Sequence, residues 1–400
     1  MTGLFKKTSA VPIQFANVAK LAMGLALAVT AATGAQAAPR TPTLDAEVLE
    51  KLAVRAGDAT ARQLVRLRAA LLKAPTDAAV AAQLAEAYFD VASARGDPRY
   101  VGYAEAVVNQ FAQPLPLDLL SLRGMVRQYR HDFAGALADF ADVLKRDSTF
   151  AMAHSWRGAI FLVQADYAAA QKECTALYGL GRNNLGDACQ GLAQAYNGQL
   201  EAGYTTLRKA LDRLTEPDSR LWMLTRLGEV AAWRGMSTQA QAHYTAALAL
   251  GRDDVYLLAA WSDFLLDAGR FQEVAQLLAK WESSDSLLLR LAEAEAALQL
   301  PGAEKHVRML ADRYAAARAR GDTTHRAEEA RFELRLRKDA ATAVSLAREN
   351  YAVQREPRDA RVLLEAALAA KDPVSAQAAR DWLRSSGFED ARMRQLGSTP

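Results

Sequence analysis

Four kinds of position recur in step along this sequence, and their spacing leaves few folds open. Small residues stand at Gly124, Gly158, Gly191, Gly228 and Ser262. Twelve residues after each comes a second small or compact residue: Ala136, Ala170, Gly203, Ala240 and Val274. Four further on is a large or apolar one, at Phe140, Cys174, Leu207, Tyr244 and Leu278. Three beyond those are Val143, Leu177, Ala210, Ala247 and Trp281. All four sets advance by the same 34, 33, 37 and 34 residues. Unrelated helices would not hold four positions in phase, whereas stacked copies of one helix–turn–helix unit do. Small residues on both helices of a unit let the backbones approach, and the bulkier residues that follow fill the seam to the next unit.

The stretches between these marks read as helix. From about Leu44 onward Ala, Leu, Arg, Glu and Gln dominate, and these are strong helix formers. Apolar residues return every three or four positions, as at Leu64, Leu67, Leu71 and at Leu84, Ala87, Tyr88, Val91. Strand-type alternation of Val, Ile and Thr is missing. The turn inside each unit also repeats, as His131-Asp132-Phe133, Ala165-Asp166-Tyr167, Asn197-Gly198-Gln199 and Ala268-Gly269-Arg270-Phe271. Asp77, Asp118, Ser148, Asp218 and Asp359 are expected to cap helix starts. With 12 Pro and 23 Gly in 400 residues, loops should be short. Eight or nine helix pairs are expected.

These positions resemble the tetratricopeptide repeat family. The match is good over 118–284 and weaker over 76–113, where Ala85 and Tyr88 fit the first helix and Ala104, Val108 and Phe111 the second. Ala343, Ala347 and Asn350, followed by Pro357, resemble a second helix and its exit. The segment Gly96–Tyr100, the His131–Phe133 turn and the cysteine pair also resemble exported repeat proteins without assigned function. The resemblance implies an all-α fold, a right-handed α–α superhelix. It implies repeats over 76–284, degenerate repeats and a C-terminal cap over 285–400, and a lead-in with N-terminal capping helices over 38–75. In such arrays the first helix of each unit lines the concave side. Projected onto this sequence, that side carries Met125, Tyr129, Met152, Tyr196, Trp222, Glu229, Trp233 and Tyr256. A largely apolar groove of this kind suits an extended peptide or a partner helix. The opposing reading packs Trp222 and Trp233 inside the array, where aromatics at helical spacing usually lie.

The N-terminus reads as an export signal over residues 1–37. Lys6, Lys7 and Lys20 form a basic region, Leu21–Thr33 is an apolar run of 13, and Ala35-Gln36-Ala37 is a small-residue cleavage site that places the cut between Ala37 and Ala38. The run is shorter than the roughly 20 residues of a membrane span, and no span is expected in the mature chain. A periplasmic or secreted location follows. Without the signal's three lysines, the 49 basic residues fall to 46, equal to the 46 acidic ones. A neutral chain lacks the charge footprint of a general nucleic-acid binder. An oxidising compartment permits a disulfide between the two cysteines, Cys174 and Cys189. Three readings stand for this pair: a structural staple between neighbouring units, a redox switch, and two buried free thiols.

Catalytic and cofactor signatures are missing: there is no G-x-x-x-x-G-K, G-x-S-x-G or H-E-x-x-H. His131, His154, His243, His306 and His325 are scattered, unlike the local pairs that hold metals. The arginine-rich stretch Arg308–Lys338 interleaves Asp312, Asp322, Glu328, Glu329 and Glu333, which reads as a mixed-sign helical surface. The expected function is therefore a non-catalytic scaffold without cofactor or metal, holding another envelope protein in its groove. The alternative is a carbohydrate or small-ligand binding module, with Trp222, Trp233 and Tyr256 stacking on sugar rings.

Overall fold

The computed structural model describes residues 58–399. The signal segment, its Ala37–Ala38 cleavage site and the lead-in up to residue 57 lie outside the described residues. Among the described residues there are twenty α-helices, one short π-helical segment and no strand. The first, α1 (Ala59–Lys73), starts at Asp58, whose carboxylate accepts the Ala61 N–H at 2.9 Å.

Nine helix hairpins follow. The first four pair α2 (Ala78–Arg95) with α3 (Arg99–Val108), α4 (Leu117–Tyr129) with α5 (Phe133–Arg146), α6 (Ala151–Val163) with α7 (Tyr167–Gly179), and α8 (Asn183–Tyr196) with α9 (Leu200–Leu211). The next three pair α10 (Pro217–Trp233) with α11 (Ser237–Leu248), α12 (Val255–Asp267) with α13 (Phe271–Leu278), and α14 (Asp285–Ala297) with α15 (Ala303–Ala319). The last two pair α16 (Arg326–Phe332), extended by the π segment Glu333–Arg337, with α17 (Ala340–Tyr351), and α18 (Pro357–Ala370) with α19 (Pro373–Ser386). A final helix, α20 (Ala391–Ser398), closes the chain. The fold is an all-α superhelical array.

The recurring small residues explain how each hairpin closes. A Cβ on Gly124 would stand 2.8 Å from the Phe140 ring, one on Gly228 2.7 Å from the Tyr244 ring, and one on Gly191 2.6 Å from Leu207. The glycine on the first helix thus leaves the space that the bulky residue on the second fills. The third hairpin differs. Next to Gly158 is the Cys189 sulfur, at 3.1 Å from a Cβ built there, because Cys174 is bonded to Cys189. The repeated turn has one geometry. His131, Ala165, Gly198, Gly235 and Gly269 share a left-handed backbone, with φ between 60° and 72°. Asp132 and Asp166, next along, accept the Gly135 and Ala169 N–H groups at 3.0 and 2.9 Å and so cap the second helix.

Helix starts depart from expectation at four of five places. Asp77 caps α2 through the Ala79 and Val80 N–H groups. Asp118 and Asp218 instead lie at the second position of their helices, because Pro116 stands at the cap of α4 and Pro217 begins α10. Proline needs no partner for an N–H and presets the first turn. Ser148 precedes α6, whose cap is Phe150. Asp359 is the third residue of α18 and forms a reciprocal capping box with Glu356.

The array curls far enough to touch itself. The end of α2 reaches the sixth and seventh pairs, where a Cβ on Gly96 would lie 3.2 Å from both Val255 and Ser284. The C-terminal helices meet the third and fourth pairs at the turns between their two helices. Arg355 donates its backbone N–H to the Val163 carbonyl at 2.7 Å. The Trp382 indole donates to Tyr167 at 2.9 Å, and Glu389 accepts the Leu200 N–H at 2.8 Å.

Candidate functional site

First helices of successive pairs, together with the second helix α11 and the C-terminal segment around Phe388, wall a central cavity of about 2300 Å³. Of the sequence-derived groove residues, Tyr129, Tyr196, Trp222, Glu229, Trp233 and Tyr256 stand on this wall. Met125 and Met152 do not. Met125 is buried in the N-terminal core one turn before the wall residues Gln128 and Tyr129, and Met152 lies in the first turn of α6, open to solvent at 46%. That helix faces the cavity through Trp156, Ala159, Leu162 and Val163, and Trp156 sits edge-on to Phe89 with ring centres 5.8 Å apart.

The two tryptophans of α10 differ in role. Trp222 is 38% exposed. Trp233 is half-buried, with edge contacts to Tyr196 at 5.8 Å and to Phe388 at 5.3 Å. The chain's own C-terminal segment therefore occupies the part of the concave side where Tyr196 and Trp233 were expected to meet a partner. Tyr196 is 3% exposed, and its hydroxyl faces Glu356 at 3.5 Å. Burial first, and then the Glu356 carboxylate, push its phenol well above the usual range.

The floor is an ionic lattice and not the apolar groove the sequence reading expected. Arg226 lies between Trp222 and Tyr256, its guanidinium 5.4 Å from one ring centre and 4.2 Å from the other. It donates to Glu229 at 2.9 Å and to the Tyr256 hydroxyl, which in turn donates to Glu229 at 2.7 Å. Further along, Arg290 and Arg331 grip Asp263 at 2.6 and 2.7 Å, and Arg331 also forks onto Glu293 at 2.7 and 2.8 Å. Burial works to raise the Asp263 carboxyl, but the two guanidinium groups overcome it and hold the acid well below the ordinary range. Arg335 and Arg361 hold Glu365 in the same way, at about 2. Arg361 also forks onto Asp267 at 2.6 and 2.7 Å, tying α18 to α12. The arginines of 308–338 thus work inside the molecule as well as on its surface. Arg226 was legible in principle: it lies four residues after Trp222 and three before Glu229, on the same helical face.

Cys174 and Cys189 form a disulfide that joins α7 to α8. Among the described residues no group of three or more His, Cys, Asp and Glu is placed to hold a metal. His154 contacts Glu173 at 2.6 Å, His306 contacts Glu295 at 2.6 Å, His243 contacts Tyr204 at 2.8 Å and His131 contacts Gln354 at 3.1 Å, with His325 near enough for its charge to act on His131. Burial lowers His131 to about 4, so it is neutral at physiological pH. No described helix is long and apolar enough to cross a membrane.

No protein-family model matches the chain, and no curated protein does. Among solved structures, it is similar to a tetratricopeptide repeat protein from Parabacteroides merdae, 13% identical, covering 58% of this chain and 91% of that one with a TM-score of 0.42. It is similar to yeast Tom70, 15% identical, covering 80% of this chain and 61% of that one at 0.42. It is also similar to a chain of the Cut9–Hcn1 assembly of the APC/C, 15% identical, covering 77% and 59% at 0.46. This chain spans about three fifths of the last two. At such identities and TM-scores these likenesses say nothing of function, and the all-α array of helix pairs stands on the chain's own elements.

Proposed function

We propose that this chain is a non-catalytic scaffold of the cell envelope, periplasmic or secreted, that holds a segment of another envelope protein in its central cavity during assembly or biogenesis of a complex. The observation that carries this reading is the cavity itself, about 2300 Å³ and walled by first helices, α11 and the C-terminal segment. Sites for one small molecule run to roughly 300–1,000 Å³, so this space fits a stretch of polypeptide better. Export rests on the three-part pattern of residues 1–37. A stacked sugar is the weaker reading, because Arg226 already lies against the Trp222 ring at 5.4 Å.

The test places a photo-crosslinking amino acid at Trp222 in the cavity and, as control, at exposed Lys172 on α7, in living cells. We expect one discrete envelope protein to be captured from position 222 and not from 172. Identical adducts from both positions, or none from 222, would refute the scaffold reading, and a glycan adduct would favour the carbohydrate alternative.

A further inference from the structure

The turns inside the hairpins share one backbone, but the turn at Asn197-Gly198 is bonded differently from the rest. His131, Ala165, Gly235 and Gly269 each donate the backbone N–H to the carbonyl three residues back, at 2.9 to 3.1 Å. Gly198 takes the same left-handed conformation, with φ 72°, and makes no such bond. Its neighbours Asn197 and Gln199 both donate to the Gln194 carbonyl, at 3.2 and 2.9 Å, and the Gly198 N–H between them has no partner among the described residues. The Asn197 side-chain amide has none among them either. By contrast, Asn184 accepts from Arg213 at 3.2 Å and Asn350 donates to Asp359 at 3.0 Å. Asn197 and Gly198 are half-buried, so neither is closed to solvent.

An asparagine side chain can close a five-membered ring on the next backbone nitrogen. A side chain on that next residue crowds the attack, and glycine has none. Among the described residues, Asn197 is the one asparagine followed by glycine. Closure also needs rotation about the Asn197 ψ, which stands at 40°, and no hydrogen bond on the Gly198 nitrogen opposes it. The same turn carries the C-terminal helices. A Cβ on Gly198 would stand 2.9 Å from the Ser386 and Gly387 carbonyl oxygens. Two residues on, the Leu200 N–H is held by the Glu389 carboxylate at 2.8 Å. A longer main chain or a new negative charge here would act on both contacts.

We propose that Asn197-Gly198 is a site of spontaneous deamidation, and that its product releases the C-terminal helices from this turn. The Gly198 nitrogen gives its proton to solvent and attacks Asn197 Cγ. A C–N bond forms, the bond from Cγ to the side-chain nitrogen breaks, and ammonia leaves a succinimide behind. Water then opens the ring, to aspartate by adding at the side-chain carbonyl or to isoaspartate by adding at the backbone carbonyl. Isoaspartate puts one more methylene into the main chain directly before Gly198, and either product adds a carboxylate to a turn that already receives Glu389. The test ages the full chain in mildly alkaline buffer and follows each asparagine by peptide mapping. Asn109 is the internal reference: its side chain is also without a partner among the described residues, but the next N–H, on Gln110, is bonded to Val107 at 3.3 Å. We expect aspartate and isoaspartate at 197 to appear at least about tenfold faster than at 109. Hydrogen exchange should then quicken in α19 and α20 of the modified chain. It should not quicken in Asn197→Gln aged in the same way, nor in parent chain kept cold at mildly acidic pH. A rate at 197 no faster than at 109 overturns the site. Modification with unchanged exchange in α19 and α20 overturns the release, and so does equal quickening in aged Asn197→Gln.

Discussion

Gly228 lacks a side chain where Tyr244 stands, and the same arrangement recurs at Gly124 with Phe140 and at Gly191 with Leu207. Tyr244 is 1% exposed and packs on Trp261 at 5.2 Å, so its ring has nowhere to retreat. Gly228→Ala is expected to destabilise the fold by about 1–3 kcal/mol through overpacking, despite alanine's higher helix propensity, read as a lower urea midpoint. An unchanged or higher midpoint would mean that the ring can move. A second residue-scale expectation concerns pH. Asp359, 2% exposed, is raised to about 7, chiefly by burial and also by nearby Glu356. Its folded-state value lies above the ordinary 3.8. The folded chain therefore binds this proton more tightly, and the stability it contributes is full below about 4 and is lost as pH rises from there through about 7. Asp359→Asn should flatten its share of the decline in melting temperature between pH 4 and 7, and a decline of unchanged slope would assign it to another group. His131 works in the opposite direction. It is neutral in the fold down to about 4, so stability is lost as pH drops from about 6.5 towards 4.

At the scale of elements, the signals that fixed the helix pairs are local, and local signals are what a sequence displays. The left-handed turn residue, the aspartate after it and the glycine opposed to a bulky residue all lie within one unit of some 34 residues. That is why the pairs were readable from spacing alone. Caps failed where proline competed: Pro116, Pro217 and Pro357 moved the starts of α4, α10 and α18 away from the aspartates expected to begin them. The inward face was readable for α10, where Trp222, Glu229 and Trp233 share a stripe. It was misplaced at Met125 and Met152, where a one-turn offset within the helix decides between core, solvent and cavity. The lattice beneath the cavity was not readable. Arg331 and Asp263 are 68 residues apart and Arg361 and Asp267 are 94 apart, and no periodicity inside either helix marks such partners. The disulfide lies between these cases. Two cysteines 15 residues apart on adjacent helices were a candidate pair, and their bond closes a short loop worth about 3 kcal/mol. Cys174→Ala with Cys189→Ala should lower stability by roughly that amount. Free-thiol labelling of both residues in unfolded, unreduced protein would show that no bond forms.

At the scale of the whole molecule, an open solenoid is held by contacts between neighbours, so it can fray from its ends unit by unit. This array is tied across itself. Arg355 reaches Val163, Trp382 reaches Tyr167, Glu389 reaches Leu200, and Phe388 packs on Trp233. Gly198 comes so close to the chain at Ser386 and Gly387 that a Cβ would stand 2.9 Å from their carbonyl oxygens. The C-terminal helices thus act as a brace across the middle of the array, and the ends gain a share of the stability of the centre. Phe388 is 1% exposed, and Phe388→Ala should cost about 3–5 kcal/mol by emptying its site. The distinguishing readout is where protection from hydrogen exchange is lost. In a chain of nearest-neighbour contacts the loss would stay in α18–α20. In a braced array it extends to α8 and α10, more than 150 residues upstream, because Tyr196 and Trp233 lose the surface that covers them. Trp233 fluorescence should shift to the red in the same variant. Loss of protection confined to the last three helices would show that the contact is passive and that the array frays like any open solenoid.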